Sequence, residues 1–157
     1  MEIEGLNDSK KLSEKKREAL YSVITEKALS YAVAYGTLEE IEEFNILNAT
    51  YLAMNRAIEG LSVKADFALI DGNRVPKDIK IPCETVIKGD SKSASIAAAS
   101  ILAKVTRDRL LLEYDKEYPQ YNFKKHKGYG TKEHYAAIAQ YGVSKVHRLS
   151  FLKNVIK

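Results

Sequence analysis

The chain has 157 residues, 45% of them apolar, and a net charge of +4, with an isoelectric point near 9.0. That length suits one domain, residues 1–157, with a core of its own. No apolar run reaches membrane-spanning length and the start, Met1-Glu2-Ile3-Glu4-Gly5, lacks a signal-peptide pattern, so a soluble cytoplasmic protein is expected. Cys83 is the one cysteine, which excludes an internal disulfide; in its apolar stretch it reads as a small core residue.

Asp8, after Asn7 and ahead of Ser9, reads as turn or cap chemistry. Ser13 caps a helix over about 14–28, with Leu20, Val23, Ile24 and Ala28 on one apolar face. Residues 31–35 read as a strand. Thr37 and Glu40 form a capping box that opens the next helix. Asn45 interrupts it, and a second helical stretch carries Leu47, Tyr51, Met54 and Ile58 on one side until Gly60 ends it. Strands follow at 66–70 and 82–88, then a long helix over about 92–115 that buries Ala94, Ala98, Ile101, Leu102 and Val105. A basic, aromatic loop covers 120–130, Thr131 caps a last helix to about Tyr141, and Gly142 stops it. Helices alternating with short apolar strands predict an α/β layer architecture.

Two of those strands end in acids. Asp71 opens Asp71-Gly72-Asn73-Arg74, and Asp90 closes Lys88-Gly89-Asp90. Carboxylates at the ends of neighbouring strands converge on one point and form a ligand set for a hard divalent cation, the kind that assists phosphodiester hydrolysis. Asn73 and Arg74 read as turn and support for Asp71. Basic residues gather in two places: Lys10 and Lys11, and Lys124, Lys125, His126, Lys127 and Lys132 interleaved with Tyr121, Phe123 and Tyr129. Cations for phosphates with rings for sugars or bases make a nucleic-acid pattern. Asp108, between Arg107 and Arg109, reads as half of a surface ion pair. His126, His134 and His147 lack zinc-ligand spacing; His126 is expected to face phosphate, His134 to lie on a helix surface and His147 to be structural.

Six segments together resemble the ribonuclease HII family: Asn7-Asp8-Ser9-Lys10-Lys11-Leu12, Asp71-Gly72-Asn73-Arg74, Lys88-Gly89-Asp90-Ser91, Ala98 through Asp108, His126-Lys127-Gly128-Tyr129-Gly130-Thr131 and His147-Arg148-Leu149-Ser150-Phe151. The resemblance implies an RNase H-like fold, a mixed sheet flanked by helices. It implies a hydrolase that cuts the RNA strand of RNA–DNA hybrids and cuts duplex DNA at embedded ribonucleotides. It implies a carboxylate tetrad binding Mg²⁺ or Mn²⁺, of which Asp71 and Asp90 match two members. Tyr129 matches the ring that packs on the deoxyribose beside the ribonucleotide, Lys124, Lys125 and Lys127 lie around it, and Ser9 and Lys10 lie near the substrate backbone.

The family pattern begins earlier, with a strand carrying an Asp-Glu pair and then Gly-Arg-Gly; this sequence contains neither. The resemblance therefore implies an N-terminally truncated domain lacking its first two strands and half of its metal ligands. Such a chain is expected to be inactive or weak alone, with a non-catalytic nucleic-acid-binding remnant as the alternative. Its open strand edges are expected to accept a complementing N-terminal segment or to self-associate.

Overall fold

The computed structural model describes residues 2–154. Local capping decides where its helices begin. The Asp8 carboxylate accepts from the Lys10 N–H at 2.9 Å and caps a single 3-10 turn, Ser9–Lys11. Ser13 Oγ accepts from the Lys16 N–H at 3.2 Å and opens α1, Glu14–Lys27. Thr37 and Glu40 complete the expected capping box at the start of α2, Leu38–Phe44. Asn45, at φ 75°, ends α2 and caps α3, Ile46–Glu59, by accepting from the Asn48 N–H at 3.0 Å. With ψ at 168° this is a positive-φ extended conformation that costs a non-glycine residue energy, and the side-chain cap it makes offsets part of that cost.

Gly60 ends α3 for a different reason from the one its usual role suggests. Its φ is −78°, an ordinary right-handed value. A Cβ there would lie 3.1 Å from the Arg56 carbonyl and 3.4 Å from Ala32 Cβ, so the glycine admits the neighbouring segment. That segment is 31–35, which does not pair as a strand. It runs extended across α3, with the Arg56 guanidinium donating to the Tyr35 carbonyl at 2.9 Å. Its burial alternates residue by residue as a sheet strand's would: Ala32 and Ala34 are half-buried, while Tyr31, Val33 and Tyr35 are 46%, 37% and 52% exposed.

The described sheet has two strands, β1 (Ala68–Asp71) and β2 (Cys83–Val86), parallel and in register from Ala68↔Cys83 to Asp71↔Val86. This small parallel sheet flanked by helices fits the expected α/β layer architecture, and the third candidate strand, 31–35, has no ladder partner among the described residues. Cys83 is half-buried within β2.

The long helix starts later than its periodicity predicts. A short helix, α4 (Gly89–Lys92), comes first; Ser93 is extended and accepts from the Ile96 N–H at 3.3 Å, opening α5, Ala94–Glu117. Ile101, Leu102 and Val105 of α5 pack with Ile24 of α1 in one cluster. Leu111 packs with Tyr121, Phe123, Ile138 and Leu152 in a second. Ala98 is half-buried, whereas Ala94 is exposed because the first turn of α5 turns Ile96 and Ala97, at 5% and 3% exposure, inward in its place. The stretch predicted as a loop contains a 3-10 turn, Pro119–Tyr121, and α6, Phe123–His126. Thr131 caps α7, Lys132–Tyr141, and Gly142 stops it at φ 77°.

Tyr35 looks across an open groove of about 760 Å³ toward Thr106, Leu110 and Glu113 of α5. In and just before β1, Leu69 and Phe67 are 41% and 50% exposed. An apolar, extended edge without a ladder partner templates pairing with another chain. The weight-average mass in sedimentation equilibrium is therefore expected to rise with concentration from monomer toward dimer. Val33→Lys combined with Leu69→Lys should return it toward monomer, by placing charges on the edge.

Candidate active site and nucleic-acid interface

Asp71 is the last residue of β1, and β2 leads through Lys88 into α4, which carries Asp90 in its first turn. Parallel pairing brings these two exits side by side. Lys88 adopts a left-handed φ of 54°, which turns the chain so that the Gly89 N–H donates to Asp71 Oδ1 at 2.8 Å. Gly89 is required by close approach: a Cβ would lie 2.5 Å from Ile96 Cδ1 and 3.2 Å from Asp71 Oδ1. The bond orients the Asp71 carboxylate and leaves its second oxygen free of protein hydrogen bonds among the described residues. Asp71 is exposed and Asp90 half-buried. No group of three or more His, Cys, Asp and Glu is arranged to hold a metal among the described residues. The acidic donors at this point are the aspartate pair.

Asp108 is a correction to the sequence reading. It is 6% exposed, and its partners are not the adjacent arginines: Lys104 Nζ lies 2.8 Å from one carboxylate oxygen and Arg17 3.8 Å from the other. Arg17 also donates to the carbonyls of Ser9 and Leu12 and so pins the turn that carries Ser9 and Lys10. Ser9 is 7% exposed, so burial withdraws it from phosphate contact and leaves Lys10 as the exposed candidate of that segment.

Tyr129 presents a 59% exposed ring. Lys104 Nζ lies 5.9 Å and Arg107 Cζ 5.2 Å from its centroid, within cation–π range. Arg107 donates to the Lys127 carbonyl at 2.8 Å, holding the turn made by Lys127 (φ 53°) and Gly128 (φ 82°). These two cations were missed by reading the basic loop alone. Their signal was present, since positions 104 and 107 share a helix face. The expected lysines are dispersed. Lys125 is paired with Glu133 at 3.0 Å, and Lys124 lines the groove with Arg109 and Lys116. Lys127 is half-buried beside Tyr129.

The histidines also depart from expectation. His126, His134 and His147 are each 6% exposed. His126 therefore does not face phosphate, and His134 does not lie on the helix surface, because α7 turns that face onto α6. His126 and His134 stack at 4.1 Å, and His134 Nε2 lies 2.9 Å from His147 Nε2. His147 is structural, as read from the sequence.

A model of the ribonuclease HII family matches residues 1–154. The ribonuclease HII of Clostridioides difficile is 59% identical over 154 residues, covering 98% of this chain and 60% of that protein. That of Dechloromonas aromatica is 60% identical over 149 residues, covering 95% of this chain and 76% of the relative. The chain thus spans three-fifths of the one relative and three-quarters of the other. Among solved structures, the ribonuclease H2 of Pyrococcus horikoshii matches with a TM-score of 0.76 at 25% identity, over 93% of this chain and 76% of its own.

Burial holds the imidazole of His134 below the ordinary 6.5 and drives that of His147 down to about 4, with the neighbouring imidazoles opposing a further charge. The unfolded chain therefore takes up these protons first as pH falls. Stability is fully present above pH 6.5 and is lost as pH falls toward 4. For His147 the loss amounts to about 3 kcal/mol by the time pH reaches its folded value. Urea unfolding across that window should show this slope, and His147→Phe should remove its share.

Proposed function

The chain belongs to the ribonuclease HII family, and from that premise we propose that it is the catalytic and substrate-binding part of an endonuclease. Its substrates are RNA–DNA hybrids and duplex DNA with embedded ribonucleotides. The observation that carries this reading is the placement of Asp71 and Asp90 at the exits of two paired parallel strands, with the Gly89 N–H gripping Asp71.

The donor chemistry suits a hard divalent cation, Mg²⁺ or Mn²⁺: two carboxylates, one held by a backbone amide with an oxygen to spare. Asp71 and Asp90 would hold the cation, which would supply charge stabilisation at the scissile phosphate and activation of water. The protein's own groups do the rest. Tyr129 packs its ring on a sugar beside the ribonucleotide, with Lys104 and Arg107 at its flanks for phosphates. Lys127 and Lys10 add charge along the same backbone. Two carboxylates leave most of a Mg²⁺ shell to water, and such a site binds the ion weakly. By itself the 157-residue chain therefore cleaves weakly or not at all. A complementing segment with the family's Asp-Glu pair restores turnover. The second reading, a non-catalytic nucleic-acid-binding protein, is favoured by the exposed Tyr129 ring and its two cations, which need no metal.

The test is incubation with duplex DNA carrying one ribonucleotide, in Mg²⁺ and in Mn²⁺. The expected result is weak, metal-dependent cutting on the 5′ side of the ribonucleotide, strengthened by the complementing segment and abolished by Asp71→Asn or Asp90→Asn. Cleavage that survives both substitutions would overturn the assignment; vigorous cutting by the chain alone would show that two carboxylates suffice.

Binding separates the cations. Removing one phosphate-binding cation should lower the log–log salt slope by about 0.9. Arg107→Ala, at the Tyr129 ring with no carboxylate partner among the described residues, should therefore lower it by that amount, whereas Lys104→Ala and Lys125→Ala, already paired with Asp108 and Glu133, should change it little. Equal slopes for all variants would remove Tyr129 and its neighbours from the interface.

A further inference from the structure

The hydrogen bonds around the three buried histidines specify a direction. The Ser144 backbone N–H donates to His147 Nδ1 at 2.9 Å, so that nitrogen is an acceptor and the His147 proton sits on Nε2. His147 Nε2–H must then donate across 2.9 Å to His134 Nε2. His134 Nε2 is in turn an acceptor, which puts the His134 proton on Nδ1, 2.9 Å from the Tyr129 carbonyl that receives it. On the other side of the stack, the Gly128 N–H donates to His126 Nδ1 at 3.1 Å, so His126 Nε2–H donates to the Tyr121 carbonyl. All three rings are neutral in this arrangement, and each has one permitted tautomer.

We propose that His147 and His134 form a one-way hydrogen-bond relay that fixes the Tyr129 backbone, and that both are positioning residues for the Tyr129 ring on nucleic acid. His147 does not touch Tyr129. It acts by forbidding the other His134 tautomer, in which a bare Nδ1 lone pair would face the Tyr129 carbonyl oxygen and repel it. The surroundings leave little else to hold that peptide. Tyr129 N–H donates to the His126 carbonyl at 2.9 Å, its carbonyl also accepts from the Thr131 N–H at 2.9 Å, and its side chain is exposed. The two residues before it are left-handed, so the ring's direction is decided by these few bonds. Phe123, edge-on to His134 at 5.6 Å, keeps the relay dry. No carboxylate hydrogen-bonds to any of the three rings among the described residues; the nearest acid on α7, Glu133, accepts from Asn122 and pairs with Lys125.

The functional half of this inference rests on the reading of Tyr129 as a nucleic-acid contact; the tautomer half does not. With three histidines in the chain, long-range ¹⁵N spectra of the histidine-labelled protein at neutral pH resolve each ring. The expected pattern is a proton on Nδ1 of His134 and on Nε2 of His126 and His147, with His134 becoming a tautomer mixture in His147→Phe. A proton on Nε2 of His134 in the parent chain, or a His134 signal unmoved by His147→Phe, overturns the relay.

The positioning role is read by affinity for a short fluorescein-labelled DNA duplex carrying one ribonucleotide. Tyr129→Ala should weaken binding about tenfold, the scale of one aromatic stacking interaction. His147→Phe should give part of that weakening and add nothing in the Tyr129→Ala background. His134→Asn, which keeps a donor at the Nδ1 position, should bind better than His134→Leu. Additive effects of His147→Phe and Tyr129→Ala would show that His147 does not act through Tyr129. Full affinity in Tyr129→Ala would sink the reading of Tyr129 and the functional half with it, leaving the relay itself to the spectrum.

Discussion

The packing of α5 is the constraint on which the rest of the structure depends. Its 24 residues carry both hydrophobic clusters: Ile101, Leu102 and Val105 against α1 near the middle, and Leu111 against Tyr121, Phe123, Ile138 and Leu152 further along. Its first turns, through Ile96, abut Gly89 and so the support of Asp71. A helix rising 1.5 Å per residue places Arg107 about 20 Å from Ala94. One rigid element thus sets the spacing between the aspartate pair and the Tyr129 surface.

The buried charge of Asp108 ties this spacing to the N-terminal segment. A carboxylate left unpaired at 6% exposure would cost several kcal/mol. Lys104 and Arg17 share it instead, and each has a second task. Lys104 stands beside Tyr129, and Arg17 holds the turn that carries Lys10. Two basic segments that are far apart in sequence are thereby oriented by one acid. Such a group is poor evidence for extra stability and better evidence for a specified arrangement.

The sheet side is organised differently. β1 and β2 satisfy each other's backbone groups on one edge, while 31–35 keeps strand-like alternation with no ladder partner among the described residues. Its inward face is small, Ala32, Ala34 and Gly36, because α3 lies directly on it: a Cβ on Gly36 would come within 2.8 Å of the Ala49 carbonyl. Its outward face, Tyr31, Val33 and Tyr35, is large and apolar. One-sided cover of this kind is what a layered α/β architecture leaves wherever a neighbouring strand is not in place.

Local chemistry was legible in the sequence because it is carried by residues close together along the chain. The caps at Ser13, Thr37 and Thr131, the interruption at Asn45, the stop at Gly142, and the acids that end two short apolar runs all depend on groups within a few positions of one another along the chain. The family likeness, which rests on such short segments, was legible for the same reason. Tertiary packing alone decided what depends on partners distant in sequence. It left 31–35 without a ladder, since pairing needs a second strand and not only a propensity. It buried Asp108 and drew Arg17 to it, and it scattered Lys124 and Lys125 while bringing Lys104 and Arg107 to Tyr129. It also turned three histidines with no spacing pattern into one stacked, hydrogen-bonded group. A histidine's tautomer depends on the donors and acceptors around its ring, and those come from α6, α7 and the segment after it, which meet only when the chain has folded.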